Sequence, residues 1–343
     1  MTGKQRVHAA LLRKKTDRVP MWMWYHSVVY DRLRERFGWD ADDADAALGN
    51  DIKQVHVSIN REMFRPLGPG EEFTDDWGVT WVRKGWYNQV CANPLAGAEA
   101  SALKDYQFPN PDPLERFAPL ARLCERFGDD YFVGADVSGS IFEPCCHIRG
   151  MGGLLEDMLE ATQAVEAFFD HAAEFTRGLC LGALEYPIDW IWLGDDVAGQ
   201  QAMFMSPALW RRLLKPRLAG IIAAVKAARP GIWIAYHCCG ALRPIIPDLI
   251  EIGVDVLNPI QPICPDMEPL SLKAEFGGEL AFMGGLDTQH FLIHAAPGEV
   301  RDHARRLIAG MSAGGGYIFA ASHTIQPDVP LDNVLALTEA ATR

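Results

Sequence analysis

His237 and Cys239 stand two residues apart in the run His237-Cys238-Cys239-Gly240. An imidazole and a thiolate offered together are ligand types that zinc favours. The run follows Ile232-Trp233-Ile234-Ala235-Tyr236, a short apolar stretch that reads as a buried strand, and it precedes helical sequence from about Leu242 to Ile252. Alternation along an extended chain puts His237 and Cys239 on one side and turns Cys238 to the other, where it reads as packing. Two ligands alone are a weak signal, because a histidine beside a strand is commonly a hydrogen-bonded structural residue and adjacent cysteines commonly fill small apolar space. The case strengthens because other metal-capable or polar side chains close later strand-like runs, among them Asp287 and His323. Cys145-Cys146 reads as core filling, with only His147 nearby as a further donor.

Such residues need a scaffold that brings its strand ends together. Strand-like runs lie near residues 20, 55, 133, 190, 234, 256, 282 and 318, each followed by helical sequence. Strict alternation of strand and helix implies a parallel sheet, and eight units imply closure. The expectation is a single TIM (β/α)8 barrel over residues 1–343, with a β-hairpin inserted after the second strand. The first strand is Val19–Trp24. The hairpin is the aromatic stretch from Phe73 to Cys91, which holds Trp77, Trp81, Trp86 and Tyr87. Helices are expected from Lys4 to Arg13, around Asp31 to Phe37, from Leu154 to Leu181 in two pieces, from Pro269 to Phe276, from Pro297 to Met311, and from near Asp332. Ser206-Pro207 reads as an N-cap and first helical residue, and Pro216 should end or kink that helix. An open doubly wound sheet fits less well, because no glycine-rich nucleotide fingerprint follows the first strand.

With 343 residues, 49% hydrophobic and 22% charged, the chain can bury a full core. A net charge of -13 argues against nucleic acid or an anionic membrane as partner, because phosphate would be repelled. No run of about 18 apolar residues suggests a transmembrane helix. The first twenty residues, carrying Lys4, Arg6, Arg13, Lys14, Lys15 and Arg18, read as a surface helix rather than a signal peptide. Eight cysteines without framework spacing point to reduced thiols and a cytoplasmic protein, and nothing opposes a homodimer.

In a parallel barrel, functional groups collect where the strands end. Asp195, Asp196, His237, Cys239, Asn258, Gln261, Asp287 and His323 all fall there. Asp195-Asp196 is either a solvated loop pair or an acid. His26, closing Trp22-Met23-Trp24-Tyr25-His26, is either a pocket group or a packed histidine, and the aromatics before it read as core and pocket wall.

Several motifs carry a resemblance: Thr16-Asp17-Arg18-Val19-Pro20, Asp76-Trp77-Gly78, Gly194-Asp195-Asp196, His237-Cys238-Cys239-Gly240, the run from Ile246 to Pro259, Gly284-Gly285-Leu286-Asp287-Thr288-Gln289, and Ser322-His323-Thr324-Ile325-Gln326-Pro327. In these the chain resembles the uroporphyrinogen decarboxylase-like superfamily, in particular its zinc- and corrinoid-dependent methyltransferase branch. The resemblance implies a TIM barrel and a zinc ion held by His237 and Cys239. It implies a third ligand after the last strand, usually a cysteine, where this chain has His323. Gln261 lies near where some relatives place a carboxylate, and as a neutral amide it reads as a substrate contact alongside Trp24, His26 and Asn258. The implied reaction moves a methyl group from a methoxylated, in particular aromatic, or thioether donor to the Co(I) corrinoid of a separate corrinoid protein. No Asp-x-His-x-x-Gly motif occurs in the chain itself. Asp195, Glu143 and Asp287 are the candidates to position the substrate or pass a proton to the leaving group. Three alternatives stay open. One is a metal-independent decarboxylase of a small or porphyrinogen-like substrate, although the first strand brings no arginine for a polycarboxylate. Another is a methyl-corrinoid:thiol methyltransferase with zinc holding a thiolate, and the last is a non-catalytic binding protein.

Overall fold

The computed structural model describes residues 1–111, 114–160 and 163–342. Strand β1 (Ile52–His56) opens the main sheet. Three short strands follow outside it: β2 (Glu72–Thr74), β3 (Thr80–Lys84) and β4 (Tyr87–Ala92). The main sheet resumes with β5 (Phe132–Asp136), β6 (Trp190–Gly194), β7 (Trp233–His237), β8 (Val256–Ile260), β9 (Ala281–Leu286) and β10 (Tyr317–Ala321). Its seven strands pair in chain order and every pair is parallel. This is the expected α/β barrel, with one difference in how it closes.

The expected first strand, Val19–Trp24, lies extended between β10 and β1 but forms no ladder. Towards β10 it makes backbone bonds, Trp22 N–H to the Phe319 carbonyl at 3.0 Å and Phe319 N–H to the Pro20 carbonyl at 2.8 Å. Towards β1 there is one backbone bond, Asp51 N–H to the Met21 carbonyl at 2.8 Å, and side chains supply the rest. Asp51 Oδ2 accepts from Met21 N–H at 2.9 Å, and Asn50 serves Met23 twice, its Oδ1 accepting at 2.8 Å and its Nδ2 donating at 3.1 Å. The backbone groups are satisfied without strand pairing, so the segment closes the barrel as an eighth stave outside the seven-stranded ladder.

Alternation decides what fills the barrel. On β6, Trp190 and Trp192 face the interior cluster while Ile191 and Leu193 join the layer under the helices. Trp22 joins them from the closing stave, 5.4 Å from Trp192 ring to ring, with Trp190 and Trp192 at 5.1 Å. Small residues opposite make room: Ala235, Ala281 and Ala320 belong to the same cluster. At Gly134 a Cβ would lie 1.9 Å from Trp190 Nε1. The opening helix, Gly3–Leu11, sends Val7 and Leu11 into this cluster.

Most expected helices form close to their sequence bounds, including Ser27–Phe37, Pro269–Phe276, Pro297–Met311 and Leu331–Thr342. The two-piece helix is Met151–Glu160 followed by Gln163–Ala183, its junction at 161–162 lying outside the described residues. Ser206 caps Pro207–Leu213 by accepting from Leu209 N–H at 3.1 Å, and Pro216 sits in the first turn of the next helix, Lys215–Ala228. The helix expected from Leu242 to Ile252 is shorter, a 3-10 turn at Arg243–Ile245 and a helix at Ile246–Glu251. Pro244 and Pro247 each remove an N–H that a continuous helix would need. Helices that were not anticipated include Ala41–Ala47, Leu114–Phe127, Phe142–Arg149 and the short Phe291–His294. The inserted hairpin is a three-stranded antiparallel sheet, β2–β3–β4. Among the described residues no helix is long and apolar enough to cross a membrane.

Candidate metal centre

His237 ends β7 on the inward side, in line with Trp233 and Ala235, which pack with the interior cluster. Its register partner on β8 is Asn258, whose Oδ1 lies 2.8 Å from His237 Nδ1. An amide oxygen can only accept, so in the neutral ring the hydrogen sits on Nδ1 and Nε2 keeps its lone pair. Nε2 is 3.7 Å from Cys239 Sγ, close to the ~3.6 Å expected for nitrogen and sulfur at about 2.0 and 2.3 Å from one tetrahedral zinc. On the other side β6 ends in Gly194, in register with His237; a Cβ there would lie 2.3 Å from the His237 carbonyl oxygen. Glycine therefore lets the two strand ends approach.

His323 enters from the loop after β10, its ring 5.9 Å from that of His237. One ligand atom from each of His237, Cys239 and His323 lies within 4.8 Å of the others. Although His323 keeps a solvent-exposed edge, packing around its imidazole and then His237 hold its pKa down at about 4. That direction favours the neutral imidazole, the form that offers a lone pair to a metal ion. Burial and then Asp196 push the Cys239 thiol above its ordinary range. A cation in this position would reverse that and hold the thiolate. A soft sulfur with two imidazole nitrogens fits zinc and fits calcium or magnesium poorly.

The paired aspartates take separate roles. Asp195 is buried and turned towards the helix Phe142–Arg149, accepting from Ile141 N–H at 2.9 Å and Glu143 N–H at 2.9 Å. Burial raises its pKa to about 7 against the pull of those backbone bonds. Asp196 is the one that reaches the cluster: its Oδ1 accepts from Cys239 N–H at 2.7 Å and lies 3.8 Å from His237 Nε2. Glu143 stands beside both aspartates, and burial followed by the charges of Asp196 and Asp195 lifts its pKa well above the usual range. The doublet was visible in the sequence, but which member faces the site depends on the turn after Gly194.

Other residues singled out from sequence are tied up in the scaffold. Asn258 orients His237. Gln261, buried, accepts from Gly240 N–H at 2.7 Å through Oε1 and so pins the turn that carries Cys239. Asp287 accepts from Gln289 N–H at 2.8 Å and Phe291 N–H at 3.0 Å, holding its own turn. Cys238 is buried, as are Cys145 and Cys146.

A cavity of about 580 Å³ adjoins the cluster. Its lining stops just short of the candidate ligands: Thr324 follows His323, and Trp24 packs 6.4 Å from the His237 ring. Trp24, Phe64, Trp86 and Tyr87 supply aromatic wall. His26 lines it too, with Nδ1 accepting from Val28 N–H at 3.2 Å and Nε2 3.3 Å from the Trp86 carbonyl, so both of its nitrogens are engaged. The arginines missing from the first stave come from elsewhere. Arg61 and Arg116 are paired with Glu62 and Asp76 at 2.7 and 3.0 Å, while Arg83, from β3, has no carboxylate partner among the described residues.

The sequence model of the family described as Uroporphyrinogen decarboxylase (URO-D) matches residues 93–343. A uroporphyrinogen decarboxylase of Acidiphilium cryptum is 26% identical over 208 residues, covering 59% of this chain and 55% of that protein. One from Thermus thermophilus is 27% identical over 135 residues, covering 39% and 37%. The chain thus matches about half or less of the length of these curated relatives. Among solved structures, a methyltransferase from Methanosarcina mazei superposes over 99% of this chain and 98% of its own, with a TM-score of 0.72 and 20% identity. At that identity the likeness speaks for the fold.

Proposed function

The chain belongs to the uroporphyrinogen decarboxylase family, and from that premise we propose that it is a zinc-dependent methyltransferase. Its donor would be a methoxylated aromatic compound or a thioether, and its acceptor the Co(I) corrinoid of a separate protein docking at the barrel mouth. The observation that carries this reading is the convergence of His237, Cys239 and His323 ligand atoms within 4.8 Å, beside an aromatic cavity. Zinc bound there would supply a Lewis acid for the oxygen or sulfur that loses its methyl group.

The chain's own residues do the rest. Trp24, in contact with His237, offers a flat face on which an aromatic donor stacks. Asn258 keeps His237 in the tautomer that presents Nε2. Burial and the charges of Asp196 and Asp195 favour the protonated form of the Glu143 carboxyl, which makes it the candidate to protonate the departing oxygen. Asp195 anchors the helix that carries Glu143 and so positions it.

The rival reading, metal-independent decarboxylation, draws on the names of the curated relatives and on the unpaired Arg83. One assay separates the two. Purified protein is given a reduced corrinoid protein and a panel of methoxylated aromatics and thioethers, and cobalt methylation is followed by absorbance. Methylation with at least one donor, lost in Cys239→Ala, is the expected result. Failure with every donor and thiol, despite stoichiometric zinc, contradicts methyl transfer, and full decarboxylase activity in metal-free protein would establish the rival.

A further inference from the structure

One titratable cluster in the cavity wall has no task in the reaction above. His56 ends β1, and its register partner Asp136 ends β5. Asp136 is fully buried. Its Oδ1 accepts from Ser138 N–H at 2.9 Å and Ser138 Oγ at 2.6 Å, and its Oδ2 accepts from Gln54 Nε2 at 2.7 Å. The same Oδ2 lies 3.1 Å from His56 Nδ1, an ion-pair distance off the line of a hydrogen bond, and Nδ1 has no other acceptor. Burial works to raise the Asp136 pKa, but His56 and Ser138 outweigh it and bring it below the usual value.

An anionic oxygen can only accept, so in the neutral imidazole of His56 the ring hydrogen belongs on Nδ1 and the lone pair on Nε2. The imidazole is held flat between two rings, Phe64 at 5.0 Å and 19° and Trp24 at 5.8 Å and 27°. Nε2 has no protein partner among the described residues, and His56 lines the 580 Å³ cavity. Tyr25 lines the same cavity, and its buried hydroxyl is also without a partner.

We infer that His56 Nε2 accepts a hydrogen bond from a hydroxyl group on the aromatic ligand, making the cavity selective for phenols, with Asp136 as the positioning residue. A nitrogen that only accepts requires a ligand that donates. A methyl ether in the same place has no hydrogen to give and would leave Nε2 desolvated and unpaired, which is how a polar site rejects an isostere. Trp24 touches both His56 and His237. A ring lying on it can turn its hydroxyl to His56 while another substituent faces the metal centre. The inference rests on reading this cavity as the pocket of the methyl donor.

The test is binding, measured by calorimetry on the full chain with the three methoxyphenol isomers and the matching dimethoxybenzenes. At least one methoxyphenol should bind about tenfold or more tightly than its dimethyl counterpart. His56→Phe, which keeps a stacked ring, should bring the two affinities within about twofold of each other. His56→Gln, which restores an acceptor, should recover part of the preference, and Asp136→Asn should reduce it. Equal affinities within every pair, a preference that survives His56→Phe, or no binding by any probe would overturn the inference. The readout needs neither zinc nor turnover. A phenol preference without methyl transfer sinks the proposed reaction alone, and methyl transfer without the preference sinks this inference alone.

Discussion

His237 and His56 are built by the same device and put to different use. Each is the last residue of a barrel strand, and each has Nδ1 against an oxygen of its register partner on the next strand. For His237 the partner is the neutral amide of Asn258 at 2.8 Å; for His56 it is the anionic carboxylate of Asp136 at 3.1 Å. The surroundings of Nε2 then diverge. At His237 it faces a thiol and a second imidazole, a set that could hold a metal ion. At His56 it opens between two aromatic rings onto a cavity, a setting that needs a hydrogen-bond donor. The partner at the strand end orients the ring, and the loops beyond it decide whether the other nitrogen faces a cluster of candidate ligands or an open cavity.

The comparison breaks most visibly at the metal. Cys239→Ala or His237→Ala should reduce bound zinc from about one per chain to near none, read by plasma mass spectrometry, because two remaining donors do not hold the ion. His56→Phe should leave zinc content unchanged; a matching loss there would erase the distinction between the two sites. Asn258→Leu removes only the orienting oxygen and should weaken zinc by about 10–100-fold in a chelator competition. An unchanged affinity would mean that Asn258 does not set the tautomer.

Below both sites lies the tryptophan stack. Gly134→Ala would drive a methyl group into Trp190 and should destabilise the fold by about 1–3 kcal/mol, seen as a lowered melting temperature. The smallest effect concerns acid. The lowered pKa of Asp136 contributes stability that is present above the ordinary carboxylate value, about 3.9, and is lost as pH falls through its lower folded value. Asp136→Asn should therefore flatten the drop in melting temperature below about pH 4, and an unaltered acid limb would show that the carboxylate is not held down.

Much of this was legible in the sequence because barrel strands are short, apolar and closed by helices. The His-x-Cys spacing was legible because alternation over two residues is local. What depends on turns and distant partners was not. Asn50 and Asp51 side chains replace a backbone ladder at the closing stave, which no periodicity reveals. Asp196 rather than Asp195 reaches the cluster because of the turn after Gly194. His56 passed unnoticed because β1 reads as a weak strand, and its meaning comes from Asp136, eighty residues further along the chain.

X-ray absorption at the zinc edge of purified protein bears most directly on the central claim. The account predicts one zinc per chain with one sulfur at about 2.3 Å and two imidazole nitrogens at about 2.0–2.1 Å, the ion itself being lost in His323→Ala as in Cys239→Ala. Protein without zinc, or zinc surrounded by oxygen with no sulfur, would contradict it.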